Sequence, residues 1–592
     1  MAQSIAAQTI GEYFHTMRVN LNLSLRDVAS ATLSAARLSR FERGTSDIST
    51  LAAMTLINNL GMNRTELRAM QHINPYVFPT NLVSLILVND VEAIHAASAR
   101  FFAAHEDDSE TYLTQVEKLI FKCAATDITA DFSLSVLDER MLAKFLAYPE
   151  SWQNVEVSAV FCVAPFASTE FRNFLNECWH MFSRNSKDVG GICTVTVGLE
   201  LAASKFGDAA RLQGYARYLD DQAQTEANKV YIRQLRPLIK LIGDERVWSD
   251  TGFAQFCADL NIIGAGAMIP FVTQCHHVQQ QPQATWASGH EYQVKDVLGS
   301  DDQSIGSRLG VIRRQRGLPM ATVCQGWSLS AQSRFESNES QLSFVRANTL
   351  SAFLLTEWSD LSSNTIAVVG SAFNAITALR VEQSNLNPTT AAPVIERLIS
   401  QLADVPPTLR ATLVLPVRLY SYAFNYDHIP DALMEQAVKT LSHLNGCNQA
   451  YYALFNCSCG NMAPATSLKI WRSIIGADKD YQPQIAYRDL MDYYICLQVK
   501  DTDDAQLAST MLKDLTNAQV DSCASVETMF NRVAQLLCRA VITPQSHMEI
   551  EVAKIAHAMV ALGYTREIQE QIPNLVDAFG QEDFLADIAS LD

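Results

Sequence analysis

The chain has no apolar run long enough to cross a membrane, and its first residues lack a charged segment followed by an apolar one. It also lacks a phosphate loop, a dinucleotide-binding fingerprint, a nucleophile elbow and a metalloprotease motif. Its 13 cysteines are odd in number and irregularly spaced, which is typical of reduced, mostly buried thiols rather than a disulfide framework. These absences predict a cytoplasmic protein that is not an enzyme and uses no cofactor.

Two groups of side chains could suggest zinc: Cys275, His276 and His277, and separately His443, Cys447, Cys457 and Cys459. Neither group has the paired ligand spacing of a zinc finger, and the second lies in a helical setting. Buried thiols explain them better, so no metal site is predicted.

Positive charge is scarce overall but not at the start of the chain. A net charge of −18 argues against a protein that coats nucleic acid regardless of its sequence. Residues 1–70, however, hold seven arginines against five acids, and no lysine. A small, non-acidic head therefore precedes a strongly acidic body. At roughly 150 residues per domain, the length suggests about four domains.

The head carries the signals of two short helices separated by a tight turn. Ser34 can cap the second helix, Leu38 and Phe41 fall three apart on its buried face, and Gly44 suits its end. Upstream, Ser24 can cap the first helix. This pattern predicts a helix-turn-helix whose second helix, the reader helix, enters the major groove of DNA.

Two arginines of the reader helix, Arg37 and Arg40, fall on a face beside the buried one. Arg40 is expected to contact a guanine, a contact that discriminates by about 1–3 kcal/mol. Arg37 can hold either a phosphate or a base. The alternative for each arginine is a solvated face. The remaining expected contacts are phosphates for Ser24 and Ser34, and thymine methyl groups for Ala35 and Ala36.

Arg18 lies on the helix that precedes the helix-turn-helix. In many helix-turn-helix repressors an arginine at this position is buried against a glutamate of the reader helix, which here is Glu42. A buried pair of this kind fixes register more than it adds stability. We therefore expect a structural role for Arg18 and Glu42 rather than a DNA contact.

The run Leu-Ser-Arg-Phe-Glu-Arg-Gly-x-Ser-Asp-Ile at residues 38–48 resembles the head of the Rgg/MutR regulators of Gram-positive bacteria. The resemblance implies a helix-turn-helix followed by a body of tetratricopeptide-like repeats, in a protein that binds promoter DNA as a dimer. It also implies control by a short, apolar pheromone peptide of the kind used in quorum sensing. No residue of this chain can be assigned to the peptide site from sequence.

The remaining chain favours helices, with apolar residues at helical spacing and few interruptions by proline. Residues 192–199 can form either a strand or a helix. The sequence thus predicts an all-α fold of two helix-turn-helix heads, each followed by an α-solenoid body. The expected segments are a first head at 1–72, a body at 80–275, a linker at 276–300, a second head at 301–362 and a second body at 363–592.

The second head is visible as an internal repeat. Residues 304–306 echo residues 9–11, and Arg313 stands 295 residues after Arg18. Ser-Arg-Phe-Glu at 333–336 repeats residues 39–42. We interpret the chain as a tandem duplication of a whole regulator, which would act as a single-chain pseudo-dimer, with further oligomerisation possible.

The second head departs from the first at several positions of the reader helix. Gln332 replaces the core Leu38, so its amide must find a partner. The other replacements are Ala331 for Arg37, Ser337 for Arg43 and Asn338 for Gly44, and Asn tolerates the left-handed conformation. Arg313 is expected to pair with Glu336. Phosphate contacts are expected from Arg314, Arg316 and Arg334.

Two functions are consistent with these features. The first is a peptide-responsive transcription regulator that binds double-stranded promoter DNA and makes no membrane contact. The second is a helical peptide-binding or scaffold protein whose heads mediate association, the second head being a degenerate half of a dimer. Basic charge on the first reader helix favours the regulator, and the acidic bodies leave the alternative open.

Overall fold

The structure is a computed structural model of all 592 residues. It describes the chain apart from residues 1, 22, 61, 63–65, 68–69, 72–77, 80, 105–111, 187, 224–234, 296–303, 325, 362–392, 394–395, 397–398, 401–409, 411–413, 420–428, 443–448, 477–484, 518–524, 545, 570, 581–584 and 590–592.

The all-α fold predicted from the sequence is confirmed. In the described part of the chain the regular elements are helices, and the one β-type pairing is an isolated antiparallel bridge between Ser49 and Ser343. No helix among the described residues is both long and apolar enough to span a lipid bilayer.

The chain folds into two compact units, each built from two separate segments. Unit 1 comprises residues 1–77 and 298–484, and unit 2 comprises residues 78–297 and 485–592. Both heads therefore belong to unit 1. The segment expected to be a second body, 363–592, is divided between the units after residue 484.

The first segment of unit 1 contains α1 (Ala2–Asn20), α2 (Leu25–Val28), α3 (Ala35–Glu42) and α4 (Thr50–Asn59). The first segment of unit 2 contains α5 (Leu82–Leu87), α6 (Val91–Ala104), α7 (Tyr112–Ala124), α8 (Val136–Leu146), α9 (Asn154–Val163), α10 (Thr169–Asn185), α11 (Val189–Lys205), α12 (Ala209–Ala223), α13 (Arg236–Gly243), α14 (Asp250–Ile263) and α15 (Ile269–Gln280).

The second segment of unit 1 contains α16 (Ile305–Gln315), α17 (Met320–Val323), α18 (Leu329–Glu336), α19 (Phe344–Phe353), α20 (Trp358–Leu361), α21 (Asp431–Ser442), α22 (Gln449–Ser458) and α23 (Pro464–Gly476). The second segment of unit 2 contains α24 (Ile485–Thr502), α25 (Ala505–Asn517), α26 (Ser525–Ile542), α27 (Met548–Ala561), α28 (Thr565–Gln569), α29 (Ile572–Phe579) and α30 (Ala586–Ala589).

The centre of unit 2 is α11, which is buried on nearly every side. It includes residues 192–199, for which the sequence left strand and helix open. A helix that is apolar all round is a core helix, and burial overrides the strand preference of its valines and threonines. A methyl group at Gly198 would lie 2.7 Å from Phe161 Cα of α9, so the two helix backbones approach closely here.

Within unit 2, two reciprocal contacts are made, one from α13 to the end of α27 and one from α26 to the end of α14. Arg236 of α13 donates from Nη1 to Gly563 O, just after α27, at 2.5 Å. In return, Arg532 of α26 donates from Nη1 to Ile262 O in the last turn of α14, at 2.7 Å. Each of the two helices is followed by a glycine in the left-handed region, Gly264 and Gly563, with φ of 92° and 91°. The same arginine-to-helix-end contact is therefore made in both directions.

The structure changes the expected limits of the linker. Residues 276–280 belong to α15, which continues because no helix-breaking residue occurs before Pro282. The residue before a proline disfavours helical geometry, and Gln281 is accordingly non-helical, with φ of −131° and ψ of 73°. Residues 281–295, called the strap below, have no regular secondary structure and lie against unit 2.

Candidate nucleic-acid interface

The first head has two short helices, α2 and α3, at the positions where the sequence predicted a helix-turn-helix. Ser24 caps α2 through a capping box, because its hydroxyl accepts from Asp27 N while its own N–H donates to Asp27 Oδ2 at 2.7 Å. Ser34 caps α3, its hydroxyl accepting from Arg37 N at 3.4 Å. Leu38 and Phe41 are buried. Ser34 therefore fixes the start of the reader helix, and the buried pair fixes one of its faces.

A bidentate ion pair joins α1 to α3 in the first head. Arg18 donates from Nε and Nη2 to the two carboxylate oxygens of Glu42, each at 2.7 Å, and from Nη1 to Leu23 O at 2.8 Å. Arg18 is 8% exposed and Glu42 is 5% exposed. His15, which sequence reasoning missed, lies 3.0 Å from Glu42 through Nδ1. The charged groups of Arg18 and Glu42 therefore bond to each other within the head and are shielded from solvent.

The second head repeats this arrangement. Arg313 donates from Nε and Nη2 to the two oxygens of Glu336, each at 2.7 Å, and from Nη1 to Leu318 O at 2.6 Å. Ser328 caps the second reader helix, α18, by accepting from Ala331 N at 3.2 Å. The equivalent atoms of the two heads therefore make the same contacts.

Glycines at equivalent positions let the first helix of each head approach the end of its reader helix. A methyl group at Gly11 would overlap the carbonyl oxygen of Phe41, and one at Gly306 would overlap that of Phe335. Both reader helices then end on a left-handed residue, Gly44 with φ of 66° and Asn338 with φ of 61°. Asn338 thus takes the conformation that the sequence predicted it could tolerate.

We expect Gly11→Ala to destabilise the first head by about 1–3 kcal/mol, because an added methyl forces two packed backbones apart. Gly214→Ala in α12 is the matched control, since open space surrounds Gly214. Alanine is the better helix former there by about 1 kcal/mol, so the control should be neutral or stabilising. Urea unfolding monitored at each site by hydrogen exchange measures both changes. Equal effects for the two variants would contradict the close approach.

Gln332, in the core position of the second reader helix, has the partner that the sequence required but did not identify. Its Oε1 accepts from Trp327 Nε1 at 2.8 Å, and its Nε2 donates to Glu336 Oε1 at 2.8 Å. Trp327 occupies the position of Leu33 in the first head. The replacement of Leu38 by Gln332 is therefore accompanied by the replacement of Leu33 by its hydrogen-bond partner, Trp327. The signal was present in the sequence as a tryptophan five residues before the buried glutamine.

The predicted DNA-contacting residues of the first head lie on its surface. Arg40, Ala36, Ser24 and Ser34 are exposed, while Arg37 and Ala35 are half-buried. In the second head Arg334 is exposed, and its Nε lies 3.4 Å from Ser330 O. Each reader helix therefore offers an exposed arginine at the position before its buried phenylalanine.

The structure separates Arg314 from Arg316. Arg314 is exposed, with Nη1 3.8 Å from Glu336 Oε2. Arg316 is only 5% exposed and donates from Nε to Leu354 O at 3.3 Å. Because this guanidinium is buried, we expect Arg316 to support the fold of the second head rather than to contact a phosphate. Sequence reasoning missed this because three arginines close together suggested one exposed cluster.

The two heads meet at a short backbone junction that the sequence did not predict. Phe344 N donates to Ile48 O at 2.7 Å, and Thr50 N donates to Leu342 O at 3.1 Å, around the bridge between Ser49 and Ser343. Residues 48–50 correspond to 342–344 in the repeat. In each triplet the third residue donates its N–H to the carbonyl oxygen of the first residue of the other triplet. The pairing is antiparallel, as a two-fold relation requires.

Side chains extend the junction on both sides. Phe344 is fully buried, with its ring centroid 5.9 Å from that of Phe14 and 5.2 Å from that of Trp358. Gln71, buried, accepts from Trp358 N at 3.1 Å and donates to Thr356 O at 3.2 Å. Apolar packing and paired polar groups together therefore join the heads.

No protein-family profile matches the sequence. Among solved structures, the chain is similar to the X-ray crystal structure of the SHP pheromone receptor Rgg2 of Streptococcus dysgalactiae, with 10% sequence identity and a TM-score of 0.36. The similarity covers 46% of this chain and 99% of that chain.

Proposed function

We propose that the protein is a DNA-binding transcription regulator that carries both heads of a two-fold dimer in one chain. The observation that carries this proposal is the reciprocal junction between residues 48–50 and 342–344, beside two capped reader helices with exposed arginines. Dimeric helix-turn-helix proteins present their two reader helices to successive half-sites of DNA. A junction that joins two equivalent heads suits this geometry.

The proposal includes a tandem duplication of the whole regulator. Arg313 and Leu318 stand 295 residues after Arg18 and Leu23, and each arginine makes the same bond to its leucine carbonyl. In unit 2, the reciprocal arginine contacts of α14 and α27 supply a second place where related elements face each other. A dimer whose two subunits had been fused into one chain would retain reciprocal contacts such as the junction between the heads and the arginine contacts of unit 2.

We further propose control by a short, apolar signalling peptide and action in the cytosol. The reader segment at 38–48 resembles that of the Rgg/MutR regulators, which supports this class of ligand. Stacked helices such as those of unit 2 form extended surfaces suited to peptides.

Binding to DNA from upstream of the protein's own gene tests the proposal. The full chain should bind this DNA more tightly than unrelated DNA of the same length, and affinity for both should fall as salt rises. Fluorescence anisotropy at several salt concentrations measures the ratio. Equal affinity for the two DNAs at every salt concentration would exclude specific reading.

A helical scaffold protein is the second candidate, favoured by two exposed leucines near the starts of head helices. Leu51 in α4 is 54% exposed and Leu329 in α18 is 53% exposed. Large apolar side chains at a surface suit protein association. If the heads bind a protein instead, Leu51→Ser with Leu329→Ser should abolish that association, and Arg40→Ala should leave it intact.

A further inference from the structure

The strap lies across unit 2 as an extended chain with one face on the protein. From residue 286 to residue 294, the even-numbered residues are half-buried and the odd-numbered ones are exposed. This two-residue period is that of an extended backbone against a surface. No strap residue is fully buried. The strap is therefore laid on a preformed surface and is not part of the core.

Backbone hydrogen bonds attach the strap to the ends of three helices. They run from Gln283 N to Lys205 O at 2.7 Å, from Thr169 N to Trp286 O at 2.9 Å and from Lys295 N to Ala147 O at 2.7 Å. Lys205 ends α11, Thr169 begins α10 and Ala147 follows α8. Helix ends carry backbone groups without partners inside the helix, so any extended peptide could satisfy them.

Two aromatic side chains anchor the strap. The Trp286 ring meets Phe206 edge-on, with centroids 5.5 Å apart. The Tyr292 ring meets Phe171 edge-on at 5.2 Å, and its hydroxyl donates to Glu139 Oε2 at 2.7 Å. Aromatic pairs of this geometry add about 0.5–1.5 kcal/mol beyond the area they bury. The anchors therefore supply sequence preference at two positions six residues apart.

Between the anchors, the strap donates to a carboxylate at the start of α10. Ser288 N donates to Glu170 Oε2 at 2.8 Å. This backbone N–H lowers the pKa of Glu170. The strap thus adds a polar contact that requires only a backbone amide on the bound chain.

The buried carboxylate under the strap, Glu139, keeps hydrogen-bond donors without it. Glu139 is fully buried, and it also accepts from Ser168 N at 2.6 Å and Ser168 Oγ at 2.8 Å. Loss of the Tyr292 hydroxyl therefore leaves Glu139 with two donors, and departure of the strap need not leave a buried carboxylate without a partner. This is the property of a binding site rather than of a core contact.

We propose that the surface formed by the end of α11, the start of α10 and the end of α8 is a binding site for an extended peptide with two aromatic residues, and that the strap is its resident intramolecular occupant. The ligand makes backbone bonds to the helix ends and places one ring near Phe206 and the other near Phe171. This inference deepens the proposed control by a peptide and rests on it.

Displacement has a consequence for the second head. The strap leads through residues 296–304 to α16. At about 3.3–3.6 Å per residue, release of residues 281–295 adds up to about 50 Å of chain between α15 and α16. A peptide that takes the place of the strap therefore lengthens the free chain that connects α15 to α16.

The test uses the full chain and a synthetic probe, a fluorescein-labelled peptide with the sequence of residues 283–295. The probe is titrated against the wild type and against a chain in which residues 283–295 are replaced by a Gly-Ser repeat of equal length. The replaced chain should bind the probe at least tenfold more tightly, because an attached strap competes at an effective concentration near the millimolar range.

Two control probes test the anchors. A peptide with Trp286→Ala and Tyr292→Ala should lose binding to the replaced chain. A peptide with Thr285→Ala and Gln293→Ala, both on the exposed side, should bind like the original. Absence of probe binding by a replaced chain with wild-type circular dichroism would overturn the proposal, as would equal binding by the two chains or by the two control probes.

Hydrogen exchange on the wild type keeps the proposal testable if the replaced chain does not fold. Millimolar unlabelled strap peptide should accelerate exchange of the Gln283, Ser288 and Lys295 amides by several-fold. Unchanged exchange would overturn the proposal. DNA binding is measured separately on the same proteins: peptide binding without specific DNA binding contradicts only the proposed regulator, and DNA binding without peptide binding contradicts only the peptide site.

Discussion

Glu42→Ala is expected to destabilise the first head by about 3–5 kcal/mol, because it leaves the buried guanidinium of Arg18 without its carboxylate. Both carboxylate oxygens accept from Arg18 at 2.7 Å, and neither residue is more than 8% exposed. The carbonyl of Leu23 and the ring of His15 remain, but neither carries a compensating negative charge. The desolvation cost of the cation is then unopposed.

The double variant Arg18→Met with Glu42→Leu is the decisive control. Replacing a whole buried ion pair by apolar groups of similar volume is often neutral or stabilising. The double variant should therefore be close to the wild type, while Glu42→Ala is not. Hydrogen exchange of amides in α1 and α3 under increasing urea reports on this head alone. Similar losses in both variants would show that packing volume, and not the unpaired charge, determines the effect.

The parts of the heads that the sequence predicted are those fixed by local rules or by the repeat. Ser24 and Ser34 cap helices because a hydroxyl satisfies backbone N–H groups two or three residues away, a relation visible in the sequence. Asn338 replaces Gly44 in a left-handed position for an equally local reason. The placement of Arg313 against Glu336 could be inferred because the first head offered the same spacing.

The parts that it did not predict depend on contacts between distant segments. The burial of Arg316 is set by Leu354, 38 residues later. The junction at residues 48–50 joins residues almost 300 positions apart, and each triplet alone is merely the start of a helix. Neither arrangement leaves a periodic signal in the sequence.

The strap could be predicted from the sequence in part. Its glutamines, proline and glycine are typical of a linker, and residues 281–295 have no regular secondary structure. Its attachment depends on helix ends of α8, α10 and α11, which composition cannot locate. The one available signal was alternation, since Trp286, Tyr292 and Val294 fall on even positions and share one face.

Arg40→Ala is expected to erase sequence preference at one half-site of the operator, whereas Arg334→Ala should reduce affinity without changing preference. Both arginines are exposed before a buried phenylalanine, but their surroundings differ. The first reader helix also carries Arg37, where the second has Ala331. A bidentate arginine–guanine contact contributes about 1–3 kcal/mol of discrimination, so Arg40→Ala should reduce specificity by a factor between about 5 and about 150.

The two neighbouring arginines of the second head provide a matched pair for the phosphate contribution. Arg314→Ala should weaken binding to all DNA sequences alike and reduce the slope of log affinity against log salt by about 0.9, the value for one phosphate contact. Arg316→Ala should leave that slope unchanged and lower stability, because Arg316 is buried against Leu354. Affinity at several salt concentrations, with thermal unfolding of each variant, separates the two effects.

Footprinting on operators scanned one base pair at a time decides whether the heads differ as proposed. In the wild type, substitutions in the half-site of the first head should weaken binding much more than substitutions in the other half-site. A fused chain permits this asymmetry because each head can change without changing its partner, which the symmetry of an ordinary homodimer forbids. Two equally specific, mirror-related half-sites, with Arg40→Ala and Arg334→Ala giving equal losses, would mean that both reader helices contact bases and that the differences at Arg37 and Ala331 do not affect reading.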